Sequence, residues 1–84
     1  MRSLLMLAVA LALCGCNSDT KSQAVALTDV PEPAMKAAKE KLPDVKFERA
    51  LKKPNGEFEV IGKDQTGKVR EVDVKPDGTV TEVE

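Results

Sequence analysis

The sequence predicts an α+β domain over residues 30–84, with one N-terminal helix packed on a four-stranded antiparallel β-meander. Three observations predict it. Between Asp29 and Pro43 the apolar residues recur with helical spacing. Beyond Pro43 the period shortens to the alternation of strands. Glycines at 56, 67 and 78 then punctuate the chain at a constant interval of eleven residues.

The helix opens at Asp29-Val30-Pro31-Glu32-Pro33. Asp29 stands where a side chain can cap the first turn, proline is tolerated there because its missing N–H would have had no partner, and Glu32 suits the positive end of the helix dipole. Ala34, Met35, Ala38 and Leu42 project within a stripe about 100° wide and read as core, while Lys36, Lys39 and Glu40 lie opposite as a solvated face. Pro43 ends the helix, because the residue before a proline is driven out of the helical region.

The segments Lys53-Pro54-Asn55-Gly56-Glu57, Asp64-Gln65-Thr66-Gly67-Lys68 and Lys75-Pro76-Asp77-Gly78-Thr79 share one design. Each is a type I turn followed by a left-handed glycine, which closes a three-residue hairpin with a bulge. The strands they join fall at about 45–52, 57–62, 68–75 and 79–83. The turns also set the register. If Asp64 opposes Lys68, Val60 meets Val72 and Phe58 meets Val74; if Lys75 opposes Thr79, Val74 meets Val80. One face therefore collects Ala50, Phe58, Val60, Val72, Val74 and Val80 for the helix to cover. The other face receives Phe47, Leu51, Ile61 and Val83 among Arg49, Glu59, Glu71 and Asp73. Either a bulge in the first strand turns Phe47 inward, or the second face keeps a minor apolar patch.

Upstream of the domain the composition is different. Residues 1–16 hold 13 apolar positions of 16, against 22 of 68 in the remainder, so two unlike segments are joined. Met1-Arg2-Ser3 gives a positive start and Leu4 to Leu13 an unbroken apolar run, the layout of a secretory signal. Such a run covers about 15 Å as a helix, half the hydrocarbon core of a bilayer, which argues against a permanent span. Leu13-Cys14-Gly15-Cys16 resembles the lipobox of bacterial lipoproteins, with Leu three residues before and Gly directly before the acceptor cysteine. The resemblance implies that residues 1–15 are a removable signal peptide and that Cys16 is lipidated, carrying palmitate-type acyl chains that hold the protein to a membrane. Cys14 does not fit the acceptor position, because Leu13 would then occupy the place that requires a small residue. A Cys14–Cys16 disulfide would be a strained ring, and a chain with no His and no further Cys lacks the ligands of a zinc site. Asn17, rather than Asp, follows Cys16, which in Gram-negative lipoproteins goes with outer-membrane sorting, the domain facing the periplasm. Residues 16–29 read as the acylated cysteine and a flexible tether that places the domain about 20 Å from the lipid, with Ala24 to Leu27, which could add a short strand or a helical turn, taken as linker.

The domain itself is similar to a known family. Val30-Pro31-Glu32-Pro33-Ala34-Met35-Lys36-Ala37-Ala38, Leu42-Pro43-Asp44, Gly56-Glu57-Phe58-Glu59-Val60, Gly67-Lys68, Glu71-Val72-Asp73-Val74 and Pro76-Asp77-Gly78-Thr79-Val80 resemble the PepSY and PepSY-like (beta-lactamase-inhibitor-like) domains. The resemblance spans about 30–84. Leu42 stands where an aromatic is common in that family, and Arg70 where a core-facing apolar residue often lies. It implies a non-catalytic module of the cell envelope that binds or restrains a peptidase or another envelope protein, and it brings no catalytic residues to transfer.

The residue inventory narrows function independently. Net charge is −1, which gives no electrostatic footprint for nucleic acid. Without His, and with Cys16 acylated, nucleophilic dyads and most metal sites have no residues to build them, and a domain of this size has little room for a deep cleft, so neither catalysis nor a cofactor is expected. Asp64-x-Thr66-x-Lys68 puts a cation where a calcium loop needs a ligand, so it reads as a turn and no metal is expected. The expected partner surface is the edge strand Val80-Thr81-Glu82-Val83, open to pairing with an extended peptide. The alternative role is structural, as an accessory lipoprotein of an outer-membrane assembly, with Glu82 and Glu84 guarding the edge against aggregation.

Overall fold

The computed structural model describes residues 21–84. The expected signal peptide, the expected lipidation site Cys16 and the start of the expected tether lie outside the described residues. The chain forms β1 (Gln23–Val25), a 3-10 turn (Leu27–Asp29), α1 (Glu32–Lys41), β2 (Lys46–Lys52), β3 (Phe58–Lys63), β4 (Val69–Val74) and β5 (Val80–Val83). No helix among them is long and apolar enough to cross a membrane.

The sheet is five-stranded and antiparallel, in the order β1-β2-β3-β4-β5, so the expected four-stranded meander is corrected by one strand. The added strand comes from the segment read as tether. Gln23, Ala24 and Val25 pair with Lys52, Leu51 and Ala50. Three residues are too few to display an alternation, and Ala-Val-Ala carries little apolar bulk. What holds them is tertiary: Val25 and, at the start of the 3-10 turn, Leu27 pack against the core.

The three hairpins follow the spacing of their glycines. Gly56, Gly67 and Gly78 adopt φ of 92°, 87° and 98°, and each donates its N–H to the carbonyl three residues back, at 2.9 Å. Asn55, Asp64 and Asp77 tighten these turns by accepting the backbone N–H two residues on, each at 2.9 Å. The pairs Phe58↔Val74, Val60↔Val72, Val74↔Val80 and Ala50↔Val60 then put the apolar side chains on one face.

Helix α1 covers that face over β3, β4 and β5. Ala34 and Ala38 are fully buried and let the helix approach closely over the valines, while Leu42, Val30 and Val45 close the ends of the core. Asp29 does not cap the helix. Pro31 holds the position before the first turn, no side chain caps it, and the N–H groups of Ala34 and Met35 donate to the Pro31 carbonyl at 3.0 Å. With Pro33 lacking an N–H, fewer donors need a cap.

Two bulges re-aim side chains. One lies between Phe47 and Arg49, so Phe47 pairs with Gly62 and turns onto the helix side, where it packs against the core. The other lies where β5 meets Asp73 and Val74: Val80 pairs with Val74 and Val83 with Val72, with Thr81 as the extra residue. This corrects the expectation that Val83 faces away, since both valines pack against the core. Arg70, opposite Gly62, donates its Nε to the Glu84 carbonyl at 3.2 Å.

Candidate functional site

Three surfaces carry the polar chemistry and the open backbone of this domain. The first is the sheet face turned from the helix. Cross-strand pairs Glu59↔Asp73 and Asp73↔Glu82, with Glu71 bonded through its backbone to Glu84, gather five carboxylates there. Asp73 is the buried charged residue among those described, and Lys53 donates to its Oδ2 at 2.9 Å while standing 3.8 Å from Glu57 Oε1. Bonding to Asp73 raises the Lys53 pKa. Thr81, freed by its bulge, donates to Glu57 Oε1 at 3.0 Å and lies 3.2 Å from the Asp73 carbonyl. Ile61 sits in this charged face at 5 % exposure, apart from the main core, with Arg49 and Glu71 as its cross-strand neighbours. Long charged side chains of this kind cover apolar surface with their stems.

The carboxylates crowd one another. A hydrogen bond with Glu71, then burial, then the charges of Glu71 and Asp73 push the Glu59 carboxyl from 4.5 up to about 7. Glu84 is raised in the same direction by Glu82. The folded state therefore keeps a proton on Glu59 that the unfolded chain releases near 4.5, and stability falls as pH rises from there to about 7. Glu59→Gln should abolish that fall. With solvent screening discounted, the variant should be about 1 kcal/mol more stable than wild type at pH 8 and equal to it at pH 4 in urea unfolding. A variant that keeps the wild-type slope contradicts the assignment to Glu59. Among the described residues no three His, Cys, Asp or Glu are grouped so as to hold a metal ion. Asp64 instead spends its Oδ1 on the Thr66 N–H, the Thr66 hydroxyl and the Lys68 N–H, all within 3.0 Å, as a turn residue does.

The second surface is β5. It stands at one edge of the sheet, where Val80, Thr81, Glu82 and Val83 were expected to receive a partner. Its side chains are divided: Val80 and Val83 turn to the core, Thr81 is engaged with Glu57, and Glu82 is exposed. A bulge and an acidic side chain are devices that protect a strand edge.

The third surface was not legible in the sequence. A groove of about 520 Å³ runs between the 3-10 turn, the end of α1 and the start of β2. Leu27, Met35, Leu42, Val45 and Phe47 give it apolar walls, and its two charged lining residues are Lys39 and Lys46. Residues 39 and 42 belong to the helix periodicity, but Phe47 reaches the groove only through the bulge that follows it, and Leu27 only through the added β1 and its turn.

Comparison with protein-family models, with curated proteins and with solved structures found no match.

Proposed function

We propose that the protein is a membrane-anchored envelope lipoprotein carrying a small, non-catalytic, PepSY-like module that binds another envelope protein, a peptidase among the candidates. The observation that carries the anchor is the apolar run ending in Leu13-Cys14-Gly15-Cys16, with Cys16 as the lipidated residue. Several acyl chains on one cysteine bind stably where a single chain binds marginally, each buried CH₂ contributing about 0.8 kcal/mol. Asn17 favours the outer membrane, periplasmic side, in a Gram-negative cell. The binding role is supported by the sheet edges at β1 and β5, which have no further strand partner among the described residues.

Affinity purification of the acylated protein from crosslinked envelopes tests the partner class. Recovery of a peptidase or another discrete binding partner is expected. Recovery of a porin or a large outer-membrane assembly instead would assign the structural role, and recovery of nothing stable would remove the binding role.

A further inference from the structure

We infer that the groove between α1 and the start of β2 is the module's docking site, and that its occupant is an extended, acidic segment of a partner protein with alternating apolar side chains. The inference rests on the binding-module reading and gives that module an address. Its floor is apolar: Leu42 and Val45 lie at the base, with Met35 and Phe47 half-exposed above them. Lys39 and Lys46 are exposed at its margin, no acidic residue lines it, and neither lysine forms an ion pair among the described residues. Carboxylates on an occupant therefore find two uncompensated cations, whereas a basic occupant meets repulsion.

The backbone selects an extended peptide over other anionic apolar ligands. β1 pairs only with Ala50, Leu51 and Lys52, so on that side of the sheet β2 has no strand partner from Lys46 to Arg49 among the described residues. That stretch, without a strand partner but touched by the 3-10 turn, borders the groove at Lys46 and Phe47. A segment laid along it gains main-chain hydrogen bonds to β2 and sends alternate side chains over Phe47 and Met35. An acyl chain has no use for those backbone groups. The β5 edge, bulged at Thr81 and carrying Glu82, repels the same acidic occupant.

The test uses the full chain, isotope-labelled, in phosphatidylcholine nanodiscs. The probes are an acetylated heptapeptide alternating valine with glutamate and its counterpart with lysine for glutamate. The acidic peptide should shift the amide resonances of Met35, Lys39 and Val45 to Phe47. Lys39→Glu/Lys46→Glu, both changes at exposed positions, should weaken it at least tenfold and reverse the preference towards the lysine peptide. Shifts centred on Val80 to Val83 would overturn the groove assignment while leaving the binding-module reading standing. Equal response to both peptides, or to neither, would also overturn it, and the crosslinked purification then decides the module reading by itself. Stronger shifts at the same residues on replacing the lipid by phosphatidylglycerol, with no peptide present, would overturn it in favour of a lipid surface.

Discussion

Gly62→Ala should be among the most destabilising single-methyl changes in this domain, although adding a methyl within a strand ordinarily helps. Glycine inside a strand costs about 0.5–1 kcal/mol relative to alanine, so the generic expectation for the substitution is a gain. Here a Cβ at residue 62 would collide with the Lys46 carbonyl oxygen and stand 2.6 Å from the Phe47 Cα, both backbone atoms that no rotamer change can move. The start of β2 must lift from β3, which loses the pairs Phe47↔Gly62 and Lys46↔Lys63 and withdraws Phe47 from the core. Overpacking of this kind costs about 1–3 kcal/mol, and with the lost pairing we expect a loss near the top of that range. In a domain of this length that lowers Tm by roughly 10–20 °C. Gly67→Ala is the comparison, because Gly67 needs its positive φ of 87° but has nothing within 4 Å of the added atom. Its cost should be the left-handed penalty alone, about 1–2 kcal/mol. Thermal and urea unfolding of the two variants side by side decide the matter, and a Gly62→Ala loss no larger than that of Gly67→Ala contradicts the close-approach account.

The same glycine shows where sequence reasoning reaches its limit. Gly56, Gly67 and Gly78 announce themselves, because each sits in a turn motif of fixed composition and spacing, and local chemistry then sets the register of Phe58, Val60, Val72 and Val74. Gly62 sits within an apolar-alternating strand and carries no local signal. Its reason is the backbone of a different strand, and with it goes the choice between the two readings of Phe47. The structure takes both in part: the bulge turns Phe47 inward, and Ile61 with Leu51 remains on the charged face. Val83 changed faces for a similar reason, since the bulge at Thr81 is set by pairing with β4 rather than by the residues of β5. β1 was hidden by brevity and by its polar, small composition. The groove inherits all of these, because it needs Leu27 from beyond β1 and Phe47 from beyond the bulge.

The second large effect concerns attachment. Cys16→Ser should abolish acylation, because the serine hydroxyl cannot replace the thiol that accepts the lipid, and the protein should leave the membrane fraction. Cys14→Ser should leave acylation intact, since residue 14 lies within the proposed signal peptide. The apolar run of ten residues that remains on an unprocessed Cys16→Ser chain reaches only about half the hydrocarbon core, too short for a stable span. Metabolic labelling with palmitate, read on the wild type, Cys14→Ser and Cys16→Ser together, is the most direct measurement of the central claim that a lipid on Cys16 holds this domain at a membrane. The account predicts label on the wild type and on Cys14→Ser and none on Cys16→Ser; label retained by Cys16→Ser, or lost only from Cys14→Ser, contradicts it.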